Sequence, residues 1–217
     1  NEGDFAQAIR LLEDALAQFK ARGLMEEIAP KLYRIQPMFP FFLGQRVKQE
    51  MPQEEKAALD RGFCGYMAML AKEYDGLMES KEPEQQQLGA RQFQLDRENL
   101  YNSLHLVLDA EGDFWALYFV FSGFYFQRPL YREAIGFMEG VRAKVEGYSK
   151  KDKTTLEHFG YVVWNLGTQF QKLQSYKKAE RHYKDALAFL SKAGAKQSTG
   201  GVHHQLGMVA EEQRDWD

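Results

Sequence analysis

Apolar side chains recur every three to four residues along most of this chain, the spacing that gathers them on one face of an α-helix. Phe5 to Arg22 carries Ala8, Leu11, Leu12, Ala15, Leu16 and Phe19 on such a stripe, and Gly23 ends it. Two short alternating runs follow, Leu24 to Ile28 and Leu32 to Ile35, and the Ala29-Pro30-Lys31 connector between them predicts a β-hairpin. Pro37 to Gln49 returns to helical spacing, with Pro40 near the first turn. Pro52 to Ser80 predicts a long amphipathic helix, Lys81 to Gln87 a polar connector, and Leu88 to Ala110 a further helix. Beyond Gly112-Asp113, Phe114 to Gln127 pairs with Tyr131 to Val145 across Arg128-Pro129-Leu130. Gly147 to Thr154 and Ser191 to Gly201 read as loops.

Between Tyr161 and Trp216 one pattern occurs twice. Leu166-Gly167 recurs as Leu206-Gly207, and Gln174-Ser175-Tyr176 as Arg214-Asp215-Trp216, both at a spacing of 40. Gly167 marks a point where the second helix of the pair comes close, and Tyr176, Ala179, Tyr183 and Ala186 form that helix's stripe. A degenerate copy offset by 45 places Ser122, Tyr125, Tyr131, Ala134 and Met138 where the first copy has Gly167, Phe170, Tyr176, Ala179 and Tyr183. On these residues the segment resembles the tetratricopeptide repeat. The spacing of 40 exceeds that family's usual 34, and Gln174 stands where a turn glycine is frequent. The resemblance implies a mainly α-helical solenoid of stacked hairpins. Because Trp216-Asp217 stops where a second helix should begin, the chain reads as a piece of a longer protein.

The order of motifs upstream resembles another family. Leu32-Tyr33-Arg34-Ile35-Gln36-Pro37 looks like the motif that closes the winged helix of STAND-type signal-transduction ATPases, with Gln36 replacing a histidine. Asp96, Glu98-Asn99-Leu100 with Leu104, Gly112-Asp113, Phe114-Trp115 and Tyr131-Arg132-Glu133 follow in the order seen after that domain. The resemblance implies a winged-helix-like remnant over 1–50, a linking helical segment over 51–111 and tetratricopeptide-like repeats over 112–217. Gly3-Asp4-Phe5 with Ala8, Leu12 and Ala15 also fits the second helix of another repeat. Such proteins hold a nucleotide switch upstream and use the repeats as sensor and lid, so an intramolecular nucleotide-binding domain is an implied partner. That switch needs a Gly-x-x-x-x-Gly-Lys-Ser/Thr loop, and no Gly-Lys pair occurs here. The fragment is therefore expected to be neither ATPase nor other enzyme.

Composition narrows the chemistry. The formal net charge is −3 with both signs interspersed, which gives no electrostatic footprint for nucleic acid or an anionic membrane. Cys64 is the single cysteine, so there is no disulfide framework, and a reducing, cytoplasmic location fits. No apolar run reaches the roughly 20 residues of a membrane span. Adjacent His203 and His204 point about 100° apart on a helix and do not chelate one ion readily, and neither His158 nor His182 has ligand spacing to a partner, so no metal or cofactor is expected. Cys64, Ser122, Glu26-Glu27 and Glu211-Glu212 read as structural or solvated positions.

The face formed by first helices is the remaining candidate. By their offset from the Leu-Gly pair, Phe119, Gly123, Phe126, Trp164, Thr168, Gln171, His204, Met208 and Glu211 should share it. Aromatic and polar side chains mixed on a concave surface suit a protein or peptide ligand, which makes a non-catalytic sensor or scaffold the expected role. The competing reading is a DNA-binding regulator using Lys20, Arg22, Lys31, Arg34, Arg46 and Lys48, although Glu13, Asp14, Glu26 and Glu27 dilute that charge.

Overall fold

The computed structural model describes residues 2–29, 32–36 and 38–213, without the side chains of residues 2–6, 8, 29, 32 and 38–42. Lys31, Arg214, Asp215 and Trp216 lie outside the described residues. The chain is mainly helical with one small antiparallel sheet, and divides into two units, 1–59 and 60–217. No helix among the described residues is long and apolar enough to cross a membrane.

In the first unit, α1 (Glu2–Ala21) leads into strands β1 (Met25–Ala29) and β2 (Leu32–Ile35), then α2 (Met38–Glu50). Gly23, at φ +67°, turns the chain out of α1. The Leu24 N–H donates to the Phe19 carbonyl and the Gly23 N–H to that of Lys20, which satisfies two orphan acceptors of the last turn. The hairpin aligns Met25 with Ile35 and Glu27 with Tyr33, with a bulge between Glu27 and Ala29. Gln36 Nε2 donates to the Gly23 carbonyl at 2.9 Å, tying β2 to the end of α1. On α1 the stripe stays largely in water at Leu11 and Leu12.

The core lies in the second unit, on α3 (Gln53–Met78, which begins before the division), α4 (Pro83–Asp109), α5 (Trp115–Phe126), α6 (Tyr131–Glu146), α7 (Lys153–Lys172), α8 (Tyr176–Ala193) and α9 (Lys196–Glu212). α3 and α4 form an antiparallel hairpin. Cys64 lies against Ser103, Tyr74 against Asp96 and Leu77 against Gly89, so one number rises as its partner's falls. α7 and α8 repeat this arrangement, with Gly160 against Leu190 and Gly167 against Tyr183. A Cβ on Gly167 would lie 2.6 Å from two ring carbons of Tyr183, so glycine makes room for a ring rather than for bare backbone. Ala179 and Ala186 are fully buried.

Alternate helices run side by side in the same direction. Tyr161 on α7 bonds Ser198 on α9, 37 residues on, and Gln171 bonds Glu212, 41 residues on. From α5 to α7, Ser122 and Tyr118 meet Asn165 at separations of 43 and 47. Arg142 on α6 meets His182 on α8 at a separation of 40.

Two expected connectors are helical instead. The Lys81–Gln87 segment gives up all but its start to α4, because Pro83 occupies the first turn, where its missing N–H costs nothing. The Ser191–Gly201 segment is split between the end of α8, a Gly194 turn at φ +80°, and the start of α9. Glycine is tolerated inside α9 because the Trp164 indole fills the space at Gly201, where a Cβ would lie 2.5 Å from the ring. Val209 of α9 is 1% exposed and belongs to the core.

Candidate partner-binding face

Because α5 and α7 are parallel neighbours, residues at helical spacing on each line up along one surface. Trp115, Phe119, Ser122, Gly123 and Phe126 of α5 and Tyr161, Trp164 and Asn165 of α7 border a cavity of about 360 Å³, which Asp75 and Met78 of α3, Glu79 just after it and Gln127 complete. Its walls are a run of rings. Trp115 lies 5.4 Å from Tyr161, which stacks on Trp164 at 5.7 Å, and Phe119 lies 5.1 Å from Trp115. Behind Trp115, His158 stacks at 4.5 Å and 10°, and burial lowers its pKa.

The polar atoms of the cavity have few partners in the fold. Asn165 Nδ2 donates to the Tyr118 hydroxyl at 2.9 Å and to Ser122 Oγ at 3.0 Å, which leaves its carbonyl oxygen as the unspent group. The Asp75 carboxylate approaches α5 at Gly123, where a Cβ would lie 3.2 Å from Oδ1. Burial, and secondarily the Glu79 charge, push the Asp75 carboxyl up to about 6. Among the described residues neither Asp75 nor Glu79 has a side-chain hydrogen bond or ion pair. Beside the cavity, Lys172 lies over the Phe126 ring at 4.8 Å and over Tyr131 at 5.7 Å.

The structure distributes the predicted face residues unevenly. Phe119, Gly123, Phe126 and Trp164 line this cavity. Thr168 and Gln171 do not: the Tyr183 hydroxyl lies 3.3 Å from Thr168 Oγ1 and 2.7 Å from Gln171 Oε1, and Gln171 Nε2 donates to Glu212. His204, Met208 and Glu211 are exposed on α9, outside the cavity. Sequence reasoning missed Asp75, Trp115, Tyr161 and Asn165. Trp115 and Tyr161 are the previous turn of the same two stripes, so extending the offset by one turn finds them. Asp75, on α3, has no repeat-based signal.

Elsewhere the candidate groups are tied into the fold. His182 stacks on Phe170 at 5.1 Å and sits 3.0 Å from Arg142, with burial and then that cation lowering its pKa. Cys64 Sγ lies 3.7 Å from the Ser103 carbonyl oxygen, and Ser122, in the cavity wall itself, is buried and accepts from Asn165. No cluster of three or more His, Cys, Asp or Glu side chains able to hold a metal occurs among the described residues. In the first unit Lys20 pairs with Glu27, Arg34 with Glu26 and Arg46 with Glu50, which lowers the charge available to a nucleic-acid backbone.

Comparison with known proteins finds no match to a family model, to a curated protein or to a solved structure. What the cavity can do chemically follows from its lining: flat apolar walls and an acceptor-rich floor open to solvent suit capture of a side chain from another molecule.

Proposed function

We propose that this chain is a tetratricopeptide-like repeat module, preceded by the end of a winged-helix domain, that binds a protein or peptide segment. It serves as the sensor or scaffold part of a larger cytoplasmic STAND-type signal-transduction protein, whose nucleotide-binding domain is its intramolecular partner. The module is non-catalytic. One observation carries the reading: same-direction helices contact each other at separations of 37 to 47 residues, in step with the sequence repeat of 40 and its degenerate copy at 45. Stacking of that kind sets first helices in a row, and a row of helices offers an extended face to a peptide.

Selection of random peptides on the immobilised chain, followed by titration of the enriched peptides, tests this. Phe119→Ala and Trp164→Ala are expected to weaken the selected peptides at least about tenfold, or ~1.4 kcal/mol, as truncated anchors do. Phe119 is 37% exposed, so its truncation leaves the core intact, whereas Trp164 packs at Gly201 and its variant is paired with a melting curve. Unchanged affinity in both variants would remove this face from the proposal.

A further inference from the structure

We infer that the cavity between α3, α5 and α7 takes a basic side chain, lysine or arginine, projecting from the bound peptide. The inference rests on the peptide-binding reading above and adds the chemistry of the residue that is read. Three features of the lining converge on a cation. Indole and phenol rings present negative faces, and Trp115, Tyr161 and Trp164 form a continuous bank of them. The lining includes two carboxylates, the half-buried Asp75 and the exposed Glu79, and neither lysine nor arginine is among its residues. The remaining Asn165 oxygen is an acceptor, because the amide hydrogens go to Tyr118 and Ser122. A half-buried carboxylate without a partner is costly, and a donor cation offsets that cost where an aliphatic or anionic side chain would add to it. The fold itself shows such pairing on one lining ring: Lys172 lies over Phe126 at 4.8 Å.

The test compares three acetylated, amidated pentapeptides, Gly-Gly-Lys-Gly-Gly, its arginine counterpart and its norleucine counterpart. Each is titrated to about 10 mM at constant ionic strength while tryptophan fluorescence is followed, a range suited to millimolar affinity. At least one basic peptide is expected to bind at least tenfold more tightly than the norleucine peptide, and the difference should disappear in Asp75→Asn, whose side chain is isosteric. Equal binding of basic and norleucine peptides overturns the cation assignment and leaves the peptide face standing. So does failure of all three while display-selected peptides still depend on Phe119. If no peptide from either source binds, both readings fall.

Discussion

Gly167→Ala separates two effects that usually oppose each other. In a helix interior alanine is favoured over glycine by up to about 1 kcal/mol. At Gly167 the added methyl would stand 2.6 Å from Cδ1 and Cε1 of Tyr183, well inside the roughly 3.5–4 Å of a comfortable carbon contact. Tyr183 cannot swing aside cheaply: it is fully buried, and its hydroxyl is fixed against Gln171 and Thr168. Overpacking of this type costs about 1–3 kcal/mol, and disturbing the hydroxyl contacts adds about 1 kcal/mol. The net expectation is a loss of ~1–3 kcal/mol, or a fall of very roughly 2–10 °C in melting temperature for a chain of this size. Gly207 is the internal control, at the same place in the second Leu-Gly pair but with nothing within 4 Å of its Cβ position. Gly207→Ala should gain up to about 1 kcal/mol, so the two variants should differ by ~1–4 kcal/mol in urea unfolding followed by circular dichroism. A Gly167→Ala protein as stable as its parent, or a Gly207→Ala protein equally damaged, would refute the helix-contact reasoning.

Two further predictions concern backbone and charge. Gln174 holds φ +57° at the end of α7 with its side chain exposed, so Gln174→Gly should stabilise by about 0.5–1 kcal/mol in thermal melts. Glu111, at φ +53°, should not gain in the same way from Glu111→Gly, because its carboxylate accepts from both the backbone N–H and the hydroxyl of Ser149. With a folded pKa of about 6 against an ordinary 3.8, Asp75 leaves the native state holding more protons than the unfolded chain between those values, so stability falls as pH rises through that window. Asp75→Asn should therefore stabilise the protein at pH 7, by about 1 kcal/mol after discounting a larger unscreened value for solvent exposure, and have little effect near pH 3.5. Equal melting shifts at both values would show that ionised Asp75 is not the penalised group.

Much of the helical order was legible because repeat spacing and apolar stripes report directly on packing. Gly167 and Ala179 were found from spacing alone, and the hairpin of β1 and β2 from alternation around Pro30. The misses have local causes. Lys81–Gln87 is polar because it forms an exposed first turn, and polarity alone cannot distinguish such a turn from a loop. Ser198 and Gly201 look like loop residues until Tyr161 bonds the one and Trp164 covers the other, contacts made across a separation of 37 residues. Thr168 and Gln171 fell on the predicted face by offset, yet Tyr183 claims both from the neighbouring helix. The acid of the candidate site was invisible for the same reason: nothing around Asp75 in the sequence announces α5 and α7.

Size does not single out the cavity between α3, α5 and α7: the second unit also has one of about 520 Å³ lined by Gln174, Ser175, Tyr176, Lys177, Lys178, Glu212 and Gln213, and a larger one beside α4. The space lined by Gln94, Leu95, Arg97, Glu98, Tyr101, Phe121, Tyr125, Glu133 and Phe137 is about 720 Å³. Its charges are of both signs, and Arg97 already lies 5.8 Å from the Phe124 ring, so no single ligand chemistry is left unanswered there. At the cavity between α3, α5 and α7 the departures from good local design coincide: an unpaired half-buried acid, and the exposed rings of Phe119 and Phe126. The same substitution that relieves the cost, Asp75→Asn, is the one expected to abolish preference for a basic side chain, so stability and recognition should move in opposite directions at this residue. A variant that gains stability while keeping that preference would separate the two and assign the Asp75 penalty to packing alone.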